Sequence, residues 1–457
     1  MRILSLFDGM ACGMLAMQVA GITVDRYVAF EIDKYAVQTS SHNFPMIEHR
    51  GDVFKADFTE FFGFDFLVGG SPCTYWSIAQ KNGRETEASG MGWELFSQYV
   101  RALHEAQPMY FIYENNKSMS KAIRDSITET FGFEPICINS ALVSAQNRQR
   151  LYWVGKRNPD GTYSRVNVDQ PEDRGIFLRD VLDVMTGKQL TEREVDYMFR
   201  KKGRTDYGYI QKSTEDKAKC ITANISKGVP YNVMFQRIDE TVGIGYRGRM
   251  EDGKWVKRYE SNGEQKANAL TTAQTDSMVA CPVRIGCYPS PDGTIKNSQG
   301  MRLYSVDGKS VNMTSQGGGL GAKSGLYAFE VPVYAKPVEF DENGKPTKAI
   351  SGADGKTYTV YEVKDGQITI KGKQYPIKLA DGFYIIRKLT VRECMRLQTV
   401  PEWYEFPVSD SQAYKMLGNG WTVLVIAHLI IATQSNYHTA KQPMFREWET
   451  EQLSLFE

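Results

Sequence analysis

The chain has 457 residues, enough for two or three domains and for a large core without disulfide staples. A composition of 42% hydrophobic and 24% charged residues excludes disorder throughout, a collagen-like chain and a coiled-coil rod. The 55 Lys and Arg nearly balance the 54 Asp and Glu, so a general basic coat is absent and any nucleic-acid surface has to come from local clustering.

In chain order, Ile3–Phe7 reads as a buried strand, followed by a Gly-containing turn and a helix from about Ala11 to Val19. Tyr27–Phe30, Phe64–Val68, Tyr110–Tyr113 and Leu151–Val154 read as further buried strands, and Leu95–Ala106 and Lys117–Thr130 have helical spacing. This alternation predicts a doubly wound, Rossmann-like α/β sheet over residues 1–185. From 186 to 384 the texture turns to Gly, Thr, Lys and Asp, which predicts an inserted, mainly β domain. It carries a loose repeat at 218–228, 267–276 and 311–321, in which Thr222, Thr271 and Thr314 recur. Residues 385–433 return to the first domain. Thr390 and Glu393 have capping-box spacing, and an apolar helix follows Gly418-Asn419-Gly420. Residues 434–457 form a polar tail.

Seven scattered cysteines without a Cys-x-x-Cys argue against a disulfide framework or a zinc site, so no metal and a reducing, cytoplasmic location are expected. Asp8 and Gly9 interrupt the apolar N-terminus, and the run Val423 to Ala432 is too short to span a bilayer, so no membrane segment is expected.

The chemistry-bearing residues cluster at the predicted carboxyl ends of strands. SLFDGMACG at 5–13 is a strand, a small-residue turn and a helix start, which lets backbone amides approach an adenosine-type ligand. Glu31 and Asp52 end the next two segments, where acids can accept hydrogen bonds from ribose hydroxyls. Gly69-Gly70-Ser71-Pro72 sets a sharp turn that presents Cys73 as a candidate thiolate nucleophile, against the alternative of an inert buried thiol. Glu114 ends another strand as a candidate acid. Arg148 and Arg150 share one face of an extended segment and suit a phosphate or a carbonyl oxygen.

This ordered set resembles the cytosine-C5 DNA methyltransferase family. It comprises LFDG, Glu31, Asp52, Ser71-Pro72-Cys73, Glu114-Asn115, Gln146-x-Arg148-x-Arg150, Leu397-Gln398 and Gly418-Asn419-Gly420. SLFDG, GGSPC, YENN and AYKMLGNGWTVLVIAHLI look closest to the eukaryotic de novo branch and its bacterial or phage-borne relatives. The resemblance covers about residues 1–185 and 387–433, and it implies that the middle domain is a target-recognition domain acting on double-stranded DNA.

It also implies roles. Cys73, Glu114, Arg148 and Arg150 become catalytic: Cys73 adds to C6 of cytosine, Glu114 acts at N3 and Arg150 holds O2. S-adenosylmethionine becomes the methyl donor and S-adenosylhomocysteine the product. The donor would lie against Phe7, Asp8, Gly9, Glu31 and Ile32, then Asp52, Val53, Pro72 and Leu95, and finally Asn419, Gly420 and Trp421. Pro72 and Asn115 would shape the cytosine pocket. The loop after Cys73 would close over DNA, with Ala79 or Gln80 filling the space of the flipped base and Lys81 and Arg84 on phosphates. Ile32 departs from the aromatic residue common after the ribose-binding acid, and Trp421 replaces a small aliphatic one.

The tail ends in Gln452-Leu453-Ser454-Leu455-Phe456, which looks like the peptide that docks bacterial proteins on the sliding clamp. An RNA cytosine methyltransferase of the same fold and a non-catalytic DNA-binding regulator remain the alternative readings. The size of the inserted domain favours DNA, and the intact Cys73 and Glu114 pair disfavours the regulator.

Overall fold

The computed structural model describes residues 1–77, 83–183, 187–202, 210–213, 217–227, 231–237, 242–251, 254–262, 278–280, 303–305, 326–328, 349–351, 356–377, 379 and 381–434. It divides into two compact units. One comprises residues 1–182, 206–234 and 389 onward, the other residues 183–205 and 235–388.

The first unit is built on parallel strands β1 (Arg2–Leu6), β2 (Arg26–Phe30), β3 (Glu48–His49), β4 (Phe66–Gly69) and β5 (Tyr110–Asn116), alternating with helices α1 (Cys12–Val19), α2 (Lys34–Asn43) and α3 (Gly90–Ala106). Helix α4 (Lys121–Phe131) follows, then β6 (Ile136–Asn139), the two-residue β7 (Gln146–Asn147), β8 (Gln149–Arg157) and β9 (Tyr163–Arg165). The sheet order is β3-β2-β1-β4-β5-β8-β6, with β9 on β8, and β8 runs antiparallel to both β5 and β6. Side-chain alternation feeds two cores. Ile3, Phe66 and Ile112 face one, Leu4, Leu67 and Phe111 the other, so both faces of the sheet are covered as a parallel sheet requires. The doubly wound sheet expected from the strand–helix alternation is therefore present. Strand order reverses at β1, with β2 and β3 added on one side and β4 and β5 on the other, which makes the carboxyl ends of these parallel strands the natural ligand crevice. Antiparallel pairing of β5 with β8 sets Asn116 opposite Arg150 and Glu114 opposite Tyr152.

A short helix α5 (Leu178–Val181) precedes the second unit, which opens with α6 (Glu192–Lys202). Residues 206–234 then return to the first unit with β10 (Ile210–Lys212) and β11 (Ala218–Lys219). Chain residues 233–237 form β12 (Val233–Arg237), at the point where the second unit resumes. The described part of that unit is mainly β, and the pairs Val242–Glu251 with Lys254–Asn262 and Thr357–Lys364 with Gly382–Arg387 are antiparallel. Sequence texture assigned all of 186–384 to the insert; the correction is that 206–234 packs with the catalytic unit, with β11 lying parallel to β7. Of the loose repeat, residues 218–227 fall in the first unit, while Thr271 and Thr314 lie outside the described residues.

The described residues close with three helices, α7 (Val391–Leu397), α8 (Asp410–Asn419) and α9 (Val423–Thr433). Thr390 Oγ1 accepts from the Glu393 N–H (3.1 Å) and Glu393 Oε2 from the Thr390 N–H (2.7 Å), the reciprocal capping box expected from the spacing. Helix α9 is apolar because residues Val423 through Ile430 are all buried, and it joins the core cluster that contains α1. A Cβ on Gly418 would stand 2.2 Å from the backbone of Thr222, so glycine is what lets α8 lie directly on the returning segment.

Candidate active site

Two groups of side chains meet at the carboxyl ends of the central strands. The first lies between β1 and β2. Phe7, Gly9 and Ala11 all adopt positive φ (58°, 60° and 60°), a cost accepted by the turn that reverses the chain out of β1. Glu31 pins that turn. Its Oε2 accepts from the Gly9 N–H and its Oε1 from the N–H groups of Ile32 and Asp33, each at 2.8 Å. No atom lies within 4 Å of where a Gly9 Cβ would stand, so the turn leaves open space above it. Ile32 is 78% exposed beside that turn, an unusual position for a large apolar residue, and Phe7 is half-buried. Asp52 Oδ1 caps the short turn at Val53 by accepting from the Phe54 N–H (3.0 Å), and Val53 itself is buried. Leu95 is half-buried on α3 and Pro72 is exposed at the end of β4.

Asp8 is buried below this turn. Its Oδ1 accepts from Ser5 Oγ (2.6 Å) and Tyr27 OH (2.7 Å), while Oδ2 has no hydrogen-bond partner. Burial pushes its carboxyl up to about 6, against the lowering effect of those two donors. Helix α8 and the segment before it are tied to the same end: Lys415 Nζ on α8 reaches Asp33 Oδ2 at 2.7 Å, and the hydroxyl of Tyr404, which precedes α8, donates to Met10 O (2.6 Å). Gly420 approaches Cys12, at the start of α1, closely enough that an added Cβ would sit 3.2 Å from the sulfur. Asn419 is exposed at the end of α8.

The second group lies at the ends of β4, β5 and β8. Gly70 is required here, because a Cβ would meet both the backbone and the carboxylate of Glu114 at 2.8 Å. Ser71 Oγ and Tyr113 OH share a hydrogen bond (2.7 Å), and Asn115 Nδ2 donates to Ser71 O (3.2 Å), which fixes the turn carrying Cys73. Asn116 Nδ2 contacts Cys73 O at 3.4 Å. The Glu114 carboxylate is held at both ends, by Arg150 Nε at Oε1 (3.1 Å) and by the Trp421 indole N–H at Oε2 (2.9 Å). Burial raises the Cys73 thiol, Glu114 raises it further, and Arg150 and Arg148 counteract. A cleft of about 310 Å³ lined by Asn116, Lys117, Ser118, Gln149 and Arg150 opens at this group.

Sequence spacing put Arg148 and Arg150 on one face, and the family resemblance implied that both are catalytic. The structure corrects this: Arg148 is 4% exposed, and its guanidinium donates to the carbonyls of Ile221 (3.0 Å), Gly418 (3.2 Å) and Gly420 (2.8 Å) and to Cys220 Sγ (3.3 Å). It clamps three chain segments together and has no face toward the cleft. Arg84, expected on DNA phosphates, donates instead to Trp76 O (3.1 Å) and Ser118 O (2.7 Å). Ala79, Gln80 and Lys81 lie outside the described residues, as do Gln452, Leu453, Leu455 and Phe456. Sequence reasoning placed Trp421 against the cofactor and missed its bond to Glu114; it also missed Cys220.

The fold is a Rossmann-like sheet with an acid-pinned glycine turn and a Cys/Glu/Arg group at adjacent strand ends. The profile of the C-5 cytosine-specific DNA methylases matches residues 1–435, and this chain belongs to that family of DNA methyltransferases. The orphan methyltransferase M.Rho11sI of Bacillus phage rho11s is 26% identical over 515 residues, covering 93% of this chain and 96% of its own length. The orphan methyltransferase M.SPRI of Bacillus phage SPR is 26% identical over 458 residues, covering 93% and 95%. Among solved structures, the S. pombe Dnmt2 methyltransferase aligns over 94% of this chain and 96% of its own, at 13% identity and a TM-score of 0.49.

Proposed function

We propose that this enzyme transfers a methyl group from S-adenosylmethionine to C5 of cytosine in a specific double-stranded DNA sequence. The reading rests on one observation above all: Cys73, Glu114 and Arg150 converge at adjacent strand ends, with Arg150 and Trp421 fixing the Glu114 carboxylate. C5 of cytosine is not nucleophilic until the ring is activated. The Cys73 thiolate adds to C6, while Glu114 at N3 and Arg150 at O2 stabilise the charge that develops on the ring. A guanidinium has five N–H donors, so Arg150 keeps some for O2 after bonding Glu114 and Gln149 O. C5 then takes the methyl group, loses its proton, and Cys73 leaves by β-elimination.

The residues between β1 and β2 fit the donor. Glu31 retains a lone pair on Oε2 for a ribose hydroxyl, exposed Ile32 and half-buried Phe7 offer apolar surface to adenine, and the space over Gly9 admits the methionine part. When bound, S-adenosylmethionine supplies an electrophilic methyl group and leaves as S-adenosylhomocysteine. A base in duplex DNA has to be flipped out to reach Cys73, and the second unit, with the loop after Cys73, serves recognition and closure. We infer in addition that Leu455 and Phe456 dock on a sliding clamp, which a clamp pull-down with and without those two residues checks.

The test is bisulfite sequencing of DNA from a methylation-free bacterial host that expresses the protein, beside Cys73→Ala. Protected cytosines in one sequence context, lost in the variant, are expected. Full conversion everywhere with soluble wild-type protein would overturn the DNA reading in favour of RNA or silent binding.

A further inference from the structure

Asn116, Lys117 and Ser118 follow Glu114 closely along the chain and line the cleft. Asn116 ends β5 opposite Arg150, its N–H donates to Asn115 Oδ1 (2.8 Å), and it is 4% exposed. Its side-chain amide has a fixed sense. Ser118 Oγ donates to Asn116 Oδ1 (3.0 Å), so the oxygen is turned to Ser118 and Nδ2 to Cys73, whose carbonyl oxygen lies 3.4 Å away. That carbonyl already accepts from the N–H groups of Trp76 (3.2 Å) and Ser77 (2.9 Å), which occupy its two lone pairs. Ser118 is anchored in turn, because Arg84 donates to Ser118 O (2.7 Å) and to Trp76 O (3.1 Å). The turn that carries Cys73 is thereby tied to residues 116–118 at both of its ends, through Asn116 at Cys73 and through Arg84 at Trp76.

We propose that Asn116 is a positioning residue for the nucleophile, its amide oriented by Ser118 so that Nδ2 is a ready donor to the Cys73 sulfur. The proposal rests on the reading of Cys73 as the group that adds to the base. Nδ2 is a surplus donor where it stands: its long contact competes with two shorter ones for one carbonyl. The sulfur of the same residue is the acceptor that gains most from it once ionised, because a hydrogen bond to a charged group is the stronger one. Burial raises the Cys73 thiol most, and a hydrogen bond from Asn116 is among the influences that lower it. The charged groups acting on that thiol are Glu114 on β5, which raises it, and Arg150 on β8 with Arg148 just before it, which lower it. Asn116 adds a neutral donor to that set, so it stabilises the thiolate without disturbing the ion pair of Glu114 with Arg150.

Variants of the full chain separate the donor from its orientation. Asn116→Leu keeps a similar volume and no charge, and loses the amide. Ser118→Ala leaves Asn116 in place and frees its amide to turn over, while Ser118→Thr keeps the hydroxyl. Iodoacetamide alkylation of Cys73, followed by mass spectrometry of its own peptide across about pH 7 to 11, reads the thiol. A titration moved up by about one unit is expected in Asn116→Leu, a smaller upward step in Ser118→Ala, and the wild-type curve in Ser118→Thr. Steady-state methyl transfer should lose about tenfold in kcat in Asn116→Leu and about threefold in Ser118→Ala, with the DNA KM within about twofold of wild type. A lower kcat or a lower unfolding midpoint with an unmoved Cys73 titration would overturn the proposal and leave Asn116 as packing. A shift in Ser118→Ala that Ser118→Thr does not restore would overturn the orienting role. Should Asn116→Leu fail to fold, the half-buried Ser118 still decides through its own two variants. If wild-type protein forms no adduct with fluorinated cytosine DNA, the function reading fails, while alkylation of the free protein still decides whether Asn116 serves the thiol.

Discussion

The two acids at the strand ends, Glu31 and Glu114, are solved in opposite ways. Glu31 is satisfied by three backbone amides, two of them from the next two residues and the third from the turn at Gly9. Glu114 is satisfied by side chains, an arginine from β8 and an indole 307 residues along the chain. A carboxylate wrapped in amides is a fixed acceptor and suits a ligand that has only to be held. One held by a guanidinium and an indole can exchange those donors for a base when the site fills, which is what a group that follows a reaction needs.

Arg150 is where breaking this contrast costs most. Arg150→Lys keeps the charge and loses the fork, so methyl transfer should fall on the order of 100-fold with cofactor affinity unchanged, checked by single-turnover transfer beside S-adenosylhomocysteine calorimetry. Glu31→Gln acts at the other end. It removes one acceptor from the amide cluster and should weaken S-adenosylhomocysteine about tenfold, while adduct formation with fluorinated cytosine DNA at saturating cofactor stays near wild type. Trp421→Phe sharpens the comparison. It deletes the donor to Glu114 and keeps the ring, so kcat should drop roughly threefold to tenfold with little change in the cofactor Kd.

Asp8→Asn has the smallest expected effect on turnover and is read in stability instead. The Asp8 carboxyl, buried and raised to about 6, stabilises the fold fully below its unfolded value and loses that contribution as pH rises through about 6. The raised value corresponds to about 3 kcal/mol between the two limits. Thermal unfolding from pH 4 to 7, at ~1-unit steps, should show a decline in wild type that flattens in Asp8→Asn.

Local chemistry was readable in the sequence where the partner is close by. The capping box at Thr390, the turn at Gly9 and the strand ends at Glu31 and Glu114 are all such cases. What depended on distant partners was not. Side-chain alternation puts Arg148 and Arg150 on one face, yet cannot say that Arg148 meets three carbonyls from residues 221 to 420. Residues 206–234 share the polar texture of the insert, although Ile221, Ile225 and Met234 are buried in the core of the first unit. Composition therefore cannot distinguish them from recognition loops.

That return has a practical meaning for chimeras. A graft that exchanges residues 186–384 as one block would carry away Ala218 through Thr222, stripping β7 of its partner strand and Arg148 of its sulfur and one carbonyl acceptor. Junctions placed at 182/183, 205/206, 234/235 and 388/389 instead follow the unit boundaries. Exchange of the second unit between relatives should therefore succeed as two inserts flanking a retained native strip, and fail as a single cassette.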